Sequence, residues 1–226
     1  MILERLDPDV LHPARLGGAH AWATWDLTEP PADDRHVQLL VPARDQHRVT
    51  GRILDRIVYD LERPTWPPRP PLTAEVVGHE VHAQGSDHTS TITVTSHPGY
   101  LPVHAGHRCA EVVDATGWPI VDELTAFRER IGAISFSAPA AADLADLERW
   151  TAAKATNHVR RTAPGMPLDE LLARLRRETP ETYTHLRRVL DAARCQRVHL
   201  PNNGQITGPL GYLSHHLTDR ARVRSR

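Results

Sequence analysis

Two residue types in this chain are clustered densely enough to do chemistry, histidine and arginine. The chain has fifteen histidines in 226 residues, and six of them, His79, His82, His88, His97, His104 and His107, fall with Cys109 inside one 31-residue stretch. Imidazoles and a thiolate at short spacing are a donor set for zinc. The run Gly78-His79-Glu80-Val81-His82 is one residue short of the His-Glu-x-x-His spacing that puts two imidazoles on one helix face, so zinc-protease chemistry does not apply to it. His104, His107 and Cys109 remain as the metal alternative, in a segment read as loop. The primary reading carries no metal and no cofactor.

Arginine points elsewhere. Residues 151–226 hold 14 Lys+Arg against 6 Asp+Glu, a net +8, while residues 1–150 hold 13 against 22, a net −9. A basic tail on an acidic body suggests an anionic partner, with nucleic acid first among them. Lys154 is the single lysine, so the chain is arginine-rich, a bias that GC-rich coding also produces. Nucleophilic catalysis has no signature here. The chain lacks a Gly-x-Ser-x-Gly elbow, and no Lys-Ser/Thr follows Gly204, Gly208 and Gly211 as a phosphate loop requires. Neither an apolar leader at MILERLDPDV nor a run of about 18 apolar residues is present, so the expected setting is cytoplasmic, without a membrane partner. In that setting Cys109 and Cys195 are expected to be free thiols.

These residues must be positioned by elements that the hydrophobic pattern predicts. His20–Leu27 and His36–Val41 read as short strands. Asp45 is placed to cap a helix whose Val49, Ile53, Leu54, Ile57, Val58 and Leu61 recur at three- and four-residue spacing. Five prolines in residues 64–71 predict an extended connector. Gly85-Ser86 reads as a two-residue turn joining strands Glu75–Gln84 and Asp87–Ser96. That register buries His79 beside Ile92 and turns His82 to the opposite face, toward the threonines at 89, 91, 93 and 95. A helix over Val121–Ile131 closes an acidic α+β domain, residues 1–133, with a small and mostly antiparallel sheet.

Residues 134–226 read as a basic helical domain. Leu144, Leu147 and Trp150 start one helix, and Leu168, Leu171, Leu172 and Leu175 mark a second. Thr179-Pro180-Glu181 starts a third, with a capping hydroxyl and proline at the first helical position. Tyr183, Leu186, Val189, Leu190 and Ala193 form its inner face. Leu210, Leu213, Leu217 and Ala221 stripe a last helix over residues 209–222, to be buried on this domain or against a second copy in a homodimer.

A helix over Leu168–Arg177, a turn at Arg176-Arg177-Glu178 and a helix over Glu181–Cys195 have helix-turn-helix proportions. Asn203-Gly204 follows them, a strong hairpin signal placed where a wing would lie. Residues 168–207 thus resemble the core of winged helix-turn-helix DNA-binding domains. The resemblance implies a regulatory, transcription-type protein that binds duplex DNA, with the N-terminal domain receiving an effector or partner. It assigns Glu181, Thr182, Thr184, His185 and Arg188 to the major groove. Arg187, Arg194, Arg197, Arg220, Arg222, Arg224 and Arg226 are assigned to the phosphates. The rival readings are a structural helix bundle with local pairs such as Arg187–Asp191, and an enzyme whose site lies in the N-terminal domain, metal-dependent through residues 79–109.

Overall fold

The computed structural model describes residues 2–33, 35–62, 72–85, 89–96, 112–114, 116–160, 165–196 and 208–222, with side chains beyond 57, 155, 194 and 217 in the helices that end at 62, 160, 196 and 222 left aside. The protein is α+β. It divides into two compact units, Met1–Ala21 with Pro30–Asp122, and Trp22–Glu29 with Glu123–Arg226.

The first unit is built on a five-stranded mixed sheet of order β1-β2-β5-β4-β3, comprising β1 (Arg15–Leu16), β2 (His36–Val41), β3 (Thr73–Val77), β4 (Glu80–Gln84) and β5 (Thr89–Ser96). Only β2 and β5 run parallel. Parallel neighbours need a crossover, and α2 (Gln46–Glu62) begins it, burying Val49, Ile53 and Ile57 as its periodicity predicts. A face of α2 next to the buried one clamps the irregular N-terminus. Arg48, Arg52 and Arg56, four residues apart, donate to the carbonyls of His12, Val10 and Arg5. Arg48 also donates to Asp45, and this holds the Asp45 carboxyl below the usual carboxylate range.

Two expectations for this unit are corrected. His20–Leu27 is not a strand; Gly18–Thr24 is a helix, α1, in keeping with the helix propensity of its three alanines. Nor is Glu75–Gln84 one strand. A two-residue turn at Gly78-His79, with Gly78 at φ +64°, folds β3 back on β4, the glycine standing at the first central position. His79 is therefore exposed in a turn and not buried beside Ile92. Val81 pairs with Ile92, and Gln84 with Thr89, so the second turn is longer than the two residues expected. The shift is two residues and leaves the faces of β4 and β5 unchanged, but Val77, expected on the face of Val81, pairs with Glu80 on the other and is exposed. Val81, Ile92 and Val94 are buried, while His82 lies across from Thr91, its Nδ1 3.3 Å from the hydroxyl. The connector at 64–71 lies outside the described residues.

The second unit is helical, with α3 (Glu123–Ala133), α4 (Ala141–Arg160), α5 (Leu168–Glu178), α6 (Pro180–Gln196) and α7 (Gly208–Arg222). The hydrophobic pattern sets α3 at the end of the first domain, yet its packing is with this unit. Phe127 lies 4.6 Å from Trp150 of α4, and Arg130 donates to Asp143 and Asp146 while sitting over the Trp22 ring. Leu210, Leu213 and Leu217 of α7 are buried within the chain, against α4 and α6, and the Tyr183 hydroxyl donates to the Leu217 carbonyl at 3.0 Å. The leucine stripe is thus covered without a second copy.

A buried ion pair sits at the start of this unit. Glu123, 2% exposed, faces Lys154, 8% exposed, and both reach the segment leading into α5. The Met166 N–H donates to Glu123 Oε2 at 2.6 Å, and Lys154 Nζ donates to the Met166 carbonyl at 2.9 Å. Gly165, at φ +116°, has no side chain because a Cβ there would fall 2.6 Å from Glu123 Oε2 and 2.7 Å from Lys154 Nζ.

Removing one partner leaves a buried charge uncompensated, so Lys154→Met should destabilise the protein by about 3–5 kcal/mol in urea unfolding. The double variant Glu123→Gln/Lys154→Met should recover a large part of that loss. Equal stabilities for the two variants would disprove a charge-pairing role.

Candidate nucleic-acid interface

The helix pair that carries the candidate site is joined by one residue. Arg176, Arg177 and Glu178, expected as the turn, are instead the last turn of α5. Its end is set by Thr179, whose N–H and hydroxyl both donate to the Leu175 carbonyl, at 2.9 and 3.1 Å. The hydroxyl therefore closes α5, a correction to the expectation that it caps α6. Pro180 then starts α6 with no N–H to satisfy, and it holds Thr179 out of the helical region, at φ −145° and ψ 67°. Arg174 donates to Glu178 across the last turn of α5 at 3.1 and 3.2 Å. That hydrogen bond, reinforced by Arg177, holds the Glu178 carboxyl below the usual range despite some opposing desolvation.

Packing decides which face of α6 remains available. Leu186, Val189, Leu190 and Ala193 are buried. Glu181, Thr184, Arg187, Arg188, Asp191 and Arg194 are exposed, a continuous stripe at helical spacing. Three guanidinium groups and two carboxylates leave this stripe with a small positive excess. Among the described residues no carboxylate pairs with Arg187 or Arg194, and the Arg187–Asp191 pair of the structural reading does not form.

The residues assigned to base edges fare unevenly. Thr184 is exposed, but its hydroxyl donates to the Pro180 carbonyl at 2.9 Å, inside its own helix. Thr182 is half-buried. His185 is turned inward: Nε2 lies 2.7 Å from the Ile134 carbonyl, and the ring packs edge-on against Phe136 at 5.5 Å. Its assignment to the groove is corrected to a contact fastening α6 to the segment after α3. Arg188 is exposed, with its guanidinium 5.4 Å from the centroid of the Phe136 ring. Sequence reasoning missed Phe136, for an isolated phenylalanine among small residues carries no periodicity. The only signal was its place outside every predicted helix.

Arg197, Arg224 and Arg226 lie outside the described residues, as do the wing expected at 197–207, the metal alternative at His104, His107 and Cys109, and Trp66. The side chains of Cys195, Arg220 and Arg222 lie outside as well. His79 and His82 do not converge, His82 instead facing Glu80 at 3.4 Å. Among the described residues no group of three His, Cys, Asp or Glu is placed to hold a metal ion. One cleft, about 130 Å³, opens in the first unit between Leu6, Asp7, Val10, Leu11, Arg52 and Arg56. It is smaller than the roughly 300 Å³ at which ligand pockets begin. No helix among the described residues is long and apolar enough to cross a membrane.

No family model, curated protein or solved structure matches this chain.

His185→Ala should cost about 1–3 kcal/mol of stability through the lost bond to Ile134 and leave any sequence preference unchanged, readable from paired unfolding and binding curves. For Glu178 the sign runs with pH. Its folded pKa is depressed, so its contribution is present above about pH 4.5, the unfolded value, and is lost as pH falls through the folded one. Both partners are over a third exposed, so Glu178→Gln should remove only about 0.3–0.5 kcal/mol at neutral pH.

Proposed function

We propose that this protein binds duplex DNA through the exposed face of α6, as a regulatory protein whose sheet unit receives an effector or partner. The observation that carries the reading is the exposure of Arg187, Arg188 and Arg194 along one stripe of a helix whose other face is packed into the core. Guanidinium groups unpaired with carboxylate are suited to phosphate, which they meet through planar, charge-assisted hydrogen bonds. A rigid helix fixes their backbone spacing before binding, so only side-chain freedom is lost on contact. The net +8 of residues 151–226 adds long-range attraction for a polyanion, and the basic residues 197, 220, 222 and 224 extend it along the chain. The face also holds Glu181 and Asp191, which repel phosphate and so restrict how a duplex can lie on it.

Phosphate binding has a thermodynamic signature. The affinity of the full chain for a duplex should fall with salt at a log–log slope of about −0.9 per phosphate neutralised. Arg187→Ala and Arg194→Ala should each flatten that slope by about one, whatever the DNA sequence. Arg188→Ala should instead relax sequence preference, a good base contact discriminating by about 1–3 kcal/mol. Fluorescence anisotropy with labelled duplexes over a salt series measures all three. A protein that shows no salt-dependent binding to any duplex at low ionic strength does not have this function.

A further inference from the structure

The chain has two phenylalanines, and they are treated in opposite ways. Phe127 is fully buried against Trp150, while Phe136 is 45% exposed. The exposed part of an aromatic ring gains nothing from the hydrophobic effect, yet this ring is held in place. His185 meets it edge-on at 5.5 Å with an interplanar angle of 85°, and that imidazole is itself anchored 2.7 Å from the Ile134 carbonyl. Arg188 covers part of the ring from 5.4 Å. On either side stand exposed Ser135 and Ser137, their hydroxyls 3.2 Å apart, too short to shield it.

We infer that Phe136 is a stacking platform for an unpaired base, set beside the arginine stripe of α6. A flat π-face accepts any base, and neighbouring cations serve the phosphates on either side of it, the combination that single-stranded nucleic acid binds. A base paired and stacked within a duplex presents only its edges. The ligand therefore contains a single strand, an overhang or an opened step. Arg188 then does two things: it fixes the ring by a cation–π contact and offers its remaining donors outward. The inference rests on the nucleic-acid reading of α6 and narrows its ligand.

The test compares the full chain with Phe136→Ala and Phe136→Trp by anisotropy. The probes are an oligothymidylate, an oligouridylate, a blunt duplex and the same duplex with a single-stranded overhang. Phe136→Ala should weaken single-strand and overhang binding by about 5- to 100-fold. The ratio of single-strand to blunt-duplex affinity should fall by a similar factor, and Phe136→Trp should preserve it. A loss with oligothymidylate identifies DNA as the source of the base, and a loss confined to oligouridylate identifies RNA. Melting curves establish that both variants fold, and the tryptophan variant keeps a ring at the site if the alanine variant does not. Unchanged single-strand affinity in Phe136→Ala, as expected if the ring contacts a peptide instead, overturns the platform, as does an equal loss on single strand and blunt duplex. In either case salt-dependent duplex binding by the unmodified chain would still stand, so failure here is distinguishable from failure of the phosphate reading.

Discussion

The helical unit depends on a buried charge pair that holds backbone as well as side chains. Glu123 opens α3, Lys154 lies within α4, and between them they engage both the N–H and the carbonyl of Met166, two residues before α5 begins. Three helices are thereby tied at one point. An arginine in place of Lys154 would bring a wide planar fork into a space where a compact ammonium meets one carboxylate and one carbonyl. The only lysine of an arginine-rich chain stands where that geometry is required. Gly165 completes the arrangement, since any side chain there would enter the pair.

From this point the order of the candidate interface follows. α5 begins directly after the clamped segment, and Thr179 closes it and hands the chain to Pro180 within a single residue. So short a junction restricts how α6 can leave α5. His185 then fastens α6 to Ile134, and Tyr183 fastens it to α7. Each of these contacts uses a polar side chain on the flanks of the buried face, which leaves the arginines on the side turned away from the core. The exposed stripe is thus what remains of α6 once its packing and anchoring positions are assigned.

Packing makes the same selection among the arginines of the sheet unit. Arg48, Arg52 and Arg56 are as closely spaced as the arginines of α6, and by composition alone they are equal candidates for an anion. Packing gives them to three backbone carbonyls of the N-terminal segment. A guanidinium that satisfies a carbonyl and one that faces solvent have the same signature in a sequence.

Elements with a strong local cause were legible without the structure. β2 matches to the residue, α2 and the three helices over Ala141–Gln196 are in place, and the leucine stripes of α5 and α7 are buried, because the hydrophobic period and the proline that opens α6 act within a few positions, whereas the expected caps fail, Thr179 closing α5 and Asp45 holding the Arg48 side chain. The strand reading fails at residues 20–27, where a few apolar residues fit either period. It fails again at Gly78-His79, where alternation continues through a turn and only pairing reveals the break. The sequence by itself determined the α+β class, the helical character of the C-terminal part and the basic charge of its last third. Tertiary structure alone decided which arginines stay exposed, that His185 is an anchor, and that Lys154, Glu123 and Met166 meet. These are contacts between residues far apart in the chain, and no local periodicity encodes them.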